Sequence, residues 1–120
     1  MTYERLSLGS RGEEVAAAFL LERRFRILER NYTTPLGEID IIARKGKTLA
    51  FVEVKTRRSL AFGSPAEAVG ERKQRQIIKA ANWYLASGQG RGLQPRFDVI
   101  AVLIGHTNVE VDHLAGAFEV

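Results

Sequence analysis

The stretch that most constrains this chain runs from Gly37 to Lys55: GEIDIIARKGKTLAFVEVK. It reads as two strands joined by a polar turn at Arg44 to Lys47. Strand side chains alternate between faces. In the first strand Ile39, Ile41 and Ala43 are expected on one face, with Glu38, Asp40, Ile42 and Arg44 on the other. In the second, Ala50, Val52 and Val54 oppose Leu49, Phe51, Glu53 and Lys55. A turn near Gly46 sets Asp40 opposite Phe51 or Glu53, according to loop length. Slipping the loop by two residues keeps the parity, so Asp40, Glu53 and Lys55 share a face in either register.

That face also carries Ile42, Leu49 and Phe51, and the reverse face is apolar. Both sides are therefore expected to be covered, with two acids and an amine at one end. Burying charge without partners is costly. Three readings of the trio stay open. Lys55 neutralises Asp40 and Glu53 as an ion pair. A hard divalent cation is held by the carboxylates, with Lys55 beside an attacking water or a scissile phosphate. Or the site is degenerate and only binds.

Asp40, followed beyond the hairpin by Glu53-Val54-Lys55, resembles the D…(D/E)XK signature of the PD-(D/E)XK nuclease superfamily. Gly37-Glu38-Ile39-Asp40 together with Phe51-Val52-Glu53-Val54-Lys55-Thr56-Arg57 is closer still to the YraN-like bacterial family, related to archaeal Holliday-junction resolvases. The resemblance extends to Gly12-Glu13, Arg30-Asn31-Tyr32, Glu67-Ala68-Val69 and Arg96-Phe97-Asp98-Val99. Ile39 stands where the superfamily's proline would be. The resemblance implies an α/β fold with a restriction-endonuclease-like α-β-β-β-α-β core, a mixed sheet flanked by helices. It implies Mg²⁺ or Mn²⁺ as cofactor, held by Asp40, Glu53 and the Val54 carbonyl, with Glu13 beside the metal. Lys55 would orient water or stabilise the transition state. The expected function is a metal-dependent endonuclease acting on phosphodiester bonds, with branched DNA among its substrates. The alternative is a non-catalytic nucleic-acid-binding module of the same fold. A homodimer is a further expectation, since two cuts across a junction want two sites.

Composition agrees with a polyanionic partner. Eighteen Lys and Arg against 14 Asp and Glu give a net charge of +4, and the pI is near 9.8. The partner expected is nucleic acid, DNA before RNA. The 120 residues suit one domain. There is no cysteine, which excludes disulfides and thiolate metal sites. No apolar run reaches membrane length, so a cytoplasmic location is the expectation.

Residues 1 to 9 read as an extension. A helix is expected from Arg11 to Arg24, capped by Ser10 with Glu13 completing a capping box. Glu13 also lies in line with Ala16, Ala17 and Leu20, toward the sheet. Phe25 to Tyr32 reads as an edge strand; Asn31 and Tyr32 are candidates for a place near the site, but turn chemistry for Asn31 and an aromatic lid on the core for Tyr32 are preferred. After Lys55 a basic loop begins, where Arg57 and Arg58 are placed to meet phosphates. A second helix is expected from Ser64-Pro65, with Glu67 completing its box and Gly70 bending or interrupting it. Ile77, Ala80, Ala81, Tyr84 and Leu85 mark its buried side. Arg72, Lys73, Arg75 and Lys79 form a cationic face, either solvated or a track for a nucleic-acid backbone, with Lys73 and Gln76 nearest the site. Trp83 is assigned to packing ahead of base stacking. Gly88-x-Gly90-x-Gly92 follows a helix and leads into a strand, the wrong context for a phosphate loop. Arg96 to Ile104 reads as a central strand, with Asp98 assigned to a pair with Arg96 or a capping role ahead of a place beside the metal site. Val109 to Leu114 is the last strand, with Glu110 and Asp112 outward, and His106 and His113 are read as isolated surface or core residues.

Overall fold

The computed structural model describes residues 7–58 and 69–120. Two helices and five strands follow in the order α1 (Leu8–Glu22), β1 (Arg26–Thr34), β2 (Gly37–Lys45), β3 (Thr48–Arg57), α2 (Glu71–Ala86), β4 (Gln94–Ile104) and β5 (Val109–Phe118). The strands form one sheet in sequence order. β1–β2, β2–β3 and β4–β5 are antiparallel, and β3–β4 is parallel. The parallel step needs a crossover, which α2 supplies. The result is the expected α/β architecture, a mixed sheet between two helices, consistent with a restriction-endonuclease-like core.

Each helix covers its own face. Under α1 lie Ile41, Ala43, Ala50, Val52, Ile100, Val102 and Ile104, packed on Ala16, Ala17 and Leu20. Under α2 lie Ile39, Ile42, Leu49, Phe51, Phe97 and Val99, packed on Ile77, Ala80, Ala81 and Tyr84. Strands buried on both faces explain why β3 and β4 read as nearly continuous apolar runs.

The helix ends differ from expectation. Ser7, not Ser10, caps α1, its hydroxyl accepting from the Ser10 N–H at 3.1 Å. The helix therefore starts a turn earlier, at Leu8, and Glu13 is not a capping-box residue. Part of the expected N-terminal extension is thus cap and first turn. At the other end Arg24 takes a left-handed conformation (φ 69°), and the Phe25 N–H reaches back to the Leu20 carbonyl. Gly70 is the N-cap of α2 rather than a bend within it. The expected Ser64-Pro65 cap and Glu67 lie outside the described residues. Three strands are longer than expected. β1 continues to Thr34, β4 begins at Gln94, and β5 continues to Phe118. The basic loop after Lys55 begins later than expected, because β3 continues through Thr56 and Arg57 against β4.

The β2–β3 turn has two residues, since Lys45 pairs with Thr48, and Gly46 supplies the positive φ that a tight hairpin needs. The ladder then fixes the register as Ile42↔Phe51 and Ile41↔Val52.

Candidate active site

The β2–β3 ladder stops at Ile41↔Val52. Beyond it β2 continues back to Gly37 against β1, and β3 continues to Arg57 against β4. The two strands part, and Asp40 and Glu53 stand at the mouth of the gap. The register puts them opposite one another. The Val54 N–H, left without a ladder partner, donates to Asp40 Oδ2 at 2.8 Å. An extended residue sends its N–H and C=O to the same side, so the Val54 carbonyl also looks into the gap.

The faces change over here. Ile41 and Ala43 lie under α1, but Ile39 lies under α2 with Ile42. Ile39 was expected beside Ile41, so strict alternation fails at Asp40. β1 changes over at the matching place. Tyr32 packs edge-on against Tyr84 of α2, while Arg30 reaches α1, 2.9 Å from Glu14. Between them Asn31 has φ 51°, a region that non-glycine residues rarely occupy. The pairs Arg30↔Ile41 and Tyr32↔Ile39 set Asn31 opposite Asp40. Both strands turn over together, which places Asp40 between the faces, within reach of both helices.

From one side α1 brings Glu13. Its approach depends on Gly12, where a Cβ would fall 1.8 Å from Thr56 Oγ1. Burial and the neighbouring Asp40 carboxylate push the Glu13 carboxyl above its ordinary range, against Arg30 and a hydrogen bond with Asn31. From the other side α2 brings Lys73, 3.8 Å from Glu53. Here too a glycine permits the approach, since a Cβ on Gly37 would meet the Gln76 carbonyl at 2.7 Å. Glu53 is only 7% exposed. Burial first, then the Asp40 charge and a hydrogen bond shared with that carboxylate, push Glu53 up to about 7, with Lys73 and Lys55 pulling the other way. Two carboxylates are thus pressed together, and nearby cations compensate them only in part. Among the described residues, no three His, Cys, Asp or Glu side chains come together as a full set of metal ligands.

The match to known proteins is to the family that the sequence resembles. The model of Uncharacterised protein family UPF0102 matches residues 12–102. The chain belongs to UPF0102, the YraN-like family. A UPF0102 protein of Syntrophotalea carbinolica is 57% identical over 120 residues, covering 100% of this chain and 98% of the relative. One from Geobacter metallireducens is 47% identical over 119 residues, covering 99% and 98%. One from Rhodococcus jostii is 47% identical over 115 residues, covering 94% and 97%. The matched UPF0102 segment contains Glu13, Asp40, Glu53 and Lys55.

Of the basic residues singled out in this UPF0102 chain, Lys73 reaches Glu53, and Arg57 lies two positions past Lys55 on β3. Arg58 and Arg72 are exposed, and Gln76 meets the site's rim through its backbone against Gly37. Three residues depart from the roles preferred for them in the sequence. Asn31 is no ordinary turn residue but a contact of Glu13. Trp83 is 46% exposed rather than packed. It follows Lys79 by four positions on the outer side of α2, so its exposure was visible in the helical spacing. His113 is not isolated: its Nε2 lies 2.8 Å from Asp98 Oδ2. Asp98 is fully buried. It takes both Arg96 hydrogen bonds at 2.8 Å and the Gly116 N–H at 3.0 Å. Asp98 therefore pairs with Arg96 as expected, in a centre of its own. No helix among the described residues is long and apolar enough to cross a membrane.

Proposed function

We propose that this chain is a divalent-metal-dependent endonuclease that hydrolyses phosphodiester bonds in nucleic acid. The observation that carries the reading is the contact of Asp40 with Glu53 at the mouth of the parted strands. Like charges at this separation cost free energy unless a proton or a cation lies between them. The donors are all oxygens: Asp40, Glu53 and the Val54 carbonyl. Such a set fits Mg²⁺ or Mn²⁺ and excludes soft-metal preferences. When bound, the ion lowers the pKa of a coordinated water and offsets phosphate charge.

The remaining roles belong to the chain's own groups. Lys55 follows Glu53 by two on β3 and acts on it electrostatically. Its ammonium is suited to hold a phosphoryl oxygen as negative charge builds there. Glu13, half-buried and near Asp40, is suited to hold a water by hydrogen bond. Lys73 holds Glu53 in place before substrate arrives and offers its charge to phosphate afterwards. Arg57, Arg58 and Arg72 supply further positive charge near this end of the molecule.

The test is a panel of branched, nicked, single-stranded and linear DNA and RNA, with and without Mn²⁺ or Mg²⁺. Cleavage that needs the ion and disappears in Asp40→Asn and Glu53→Gln, with binding retained, supports the reading. Cleavage unchanged in those variants assigns it to a contaminant. Binding without cleavage under any divalent ion leaves a nucleic-acid-binding module of the same fold.

A further inference from the structure

Trp83 is 46% exposed on a helix whose other aromatic, Tyr84, is buried. It ends a line of exposed residues, Arg72, Gln76, Lys79 and Trp83, spaced four, three and four apart. Residues at these spacings share one side of a helix. The buried Ile77, Ala80, Ala81 and Tyr84 lie on the neighbouring flank, roughly a third of a turn round the helix. The line starts at the candidate site: Lys73, next to Arg72, pairs with Glu53, and the Gln76 backbone lies against Gly37. From Lys73 to Trp83 the helix covers about 15 Å at ~1.5 Å per residue. The one acid on α2, Glu71, lies 3.8 Å from Arg75 and is off this line.

We propose that this side of α2 is a track for an unpaired polynucleotide strand, with Arg72 and Lys79 along its phosphates and a base stacked on the Trp83 indole. The proposal deepens the nuclease reading and rests on it for where the strand leads. Charge selects the occupant. Cations and an amide accompany the indole, with no second large apolar residue on the line. A protein partner would want a contiguous apolar patch. Among the described residues the other large exposed apolar side chains, Leu21, Leu36, Val109 and Val120, lie outside α2. The need for an open base face selects the strandedness. In a duplex, base faces are covered by their neighbours, whereas an unpaired base can lie flat on an aromatic ring, with cations tracking the backbone. The substrate class that follows has a single-stranded arm, such as a flap, fork or gapped branch, lying along α2 as its scissile bond reaches Asp40 and Glu53.

Trp83 is the chain's one tryptophan, so its emission reports on this position alone. The full chain is titrated in EDTA with an oligothymidylate, an oligouridylate and a blunt duplex, while anisotropy of labelled strands measures binding. Both single strands are expected to quench the emission, and the duplex is not. Quenching by only one of them names the sugar the track accepts. Trp83→Ala is expected to weaken single-strand binding roughly 5- to 100-fold, and Trp83→Phe to restore most of it. Lys79→Ala should flatten the log–log salt dependence by roughly 0.7. Unchanged emission at saturation, or equal affinity in Trp83→Ala, overturns the track. So does self-association that Trp83→Ala abolishes, which would make this side an interface between copies. Absent quenching with metal-dependent cleavage intact sinks the track alone. Quenching with no cleavage under any divalent ion sinks the nuclease reading alone.

Discussion

Two acidic centres lie on neighbouring strands of one sheet, and they treat buried charge in opposite ways. Asp98 is fully buried, and every partner it has is a donor. Burial would raise its pKa, but hydrogen bonds from His113, Arg96 and Gly116 more than offset this and hold it down at about 2. Glu53 is nearly as buried, and burial together with a neighbouring acid, Asp40, leaves it at about 7. A satisfied buried ion needs no explanation beyond the fold. An acid pair left half-compensated, where strands part and two helices converge, does need one, because packing alone would have favoured a neutral residue. The difference separates a buried charge that the fold satisfies from one that it leaves in want of a partner.

The largest expected effect breaks the structural centre. Asp98→Asn removes the charge that Arg96 and His113 face and should cost about 3–5 kcal/mol in stability. Glu53→Gln removes a repulsion and should leave stability unchanged or raise it by about 1 kcal/mol, while abolishing cleavage. Urea denaturation of both variants checks the contrast. A cheap Asp98→Asn with a costly Glu53→Gln would reverse it.

The next variant acts on the helix that spans both centres. α1 carries Glu13 at the Asp40 end, and its Phe19 ring lies 6.0 Å from His113 at the other. Gly12→Ala would drive a methyl into Thr56, 2.7 Å from that residue's own Cβ. The start of α1 must lift, at about 2–3 kcal/mol. Thr56→Ala should not rescue it, because the Cβ clash remains, whereas Thr56→Gly should. In the lifted protein Glu13 loses its contact with Asp40, and the Asp98 hydrogen bonds persist. Carboxyl NMR titration distinguishes the two ends.

The parity of the central hairpin was legible in the sequence because side-chain alternation survives any even slip of the turn, so Asp40 and Glu53 met as expected. What was hidden depended on departures from that alternation. The turnover at Asn31 and Asp40, which moves Ile39 under α2, leaves no trace in an apolar pattern where both faces are buried. His113 reaches Asp98 only because β5 shifts register between Phe97↔Phe118 and Val99↔Leu114, around Gly116 at φ 62°. A bulge of this kind depends on tertiary fit rather than local composition. The cap lies at Ser7 rather than Ser10 because either serine can cap a helix, and the choice lay with what the extra turn could pack against: Leu8 joins the cluster under α1.

A third test uses pH. The folded-state pKa of Glu53 is raised from its ordinary 4.5 to about 7. Between these values the native state keeps a proton that the unfolded chain has lost, so stability falls as pH rises through this window. Asp98 has the opposite sign. Its pKa is depressed from 3.8 to about 2, so its contribution is full above 3.8 and is lost as pH falls toward 2. In wild type without divalent ions, stability should drop by about 1–3 kcal/mol from pH 5 to pH 7. Glu53→Gln should remove that drop and leave the acid limb untouched. Binding of Mn²⁺ should strengthen over the same interval, since ion and proton compete for the same oxygens. A stability curve that rises from pH 5 to pH 7 would erase the contrast between the centres.

The smallest effect is the most local. Asn31 holds a left-handed conformation opposite Asp40, and its side chain meets Glu13. Asn31→Gly keeps that conformation without strain and removes only the amide. Stability should change by no more than about 0.5 kcal/mol, while the Glu13 carboxyl, relieved of a hydrogen bond that favours its ionised form, should titrate at higher pH. Asn31→Val should cost more, because a β-branched residue resists positive φ. The turnover of both strands would then be strained, and Asp40 would move with it. If Asn31→Gly leaves the Glu13 titration in place and Asn31→Val is tolerated, the backbone at Asn31 contributes nothing to the acid pair. The half-compensated centre would then be held by its helices alone.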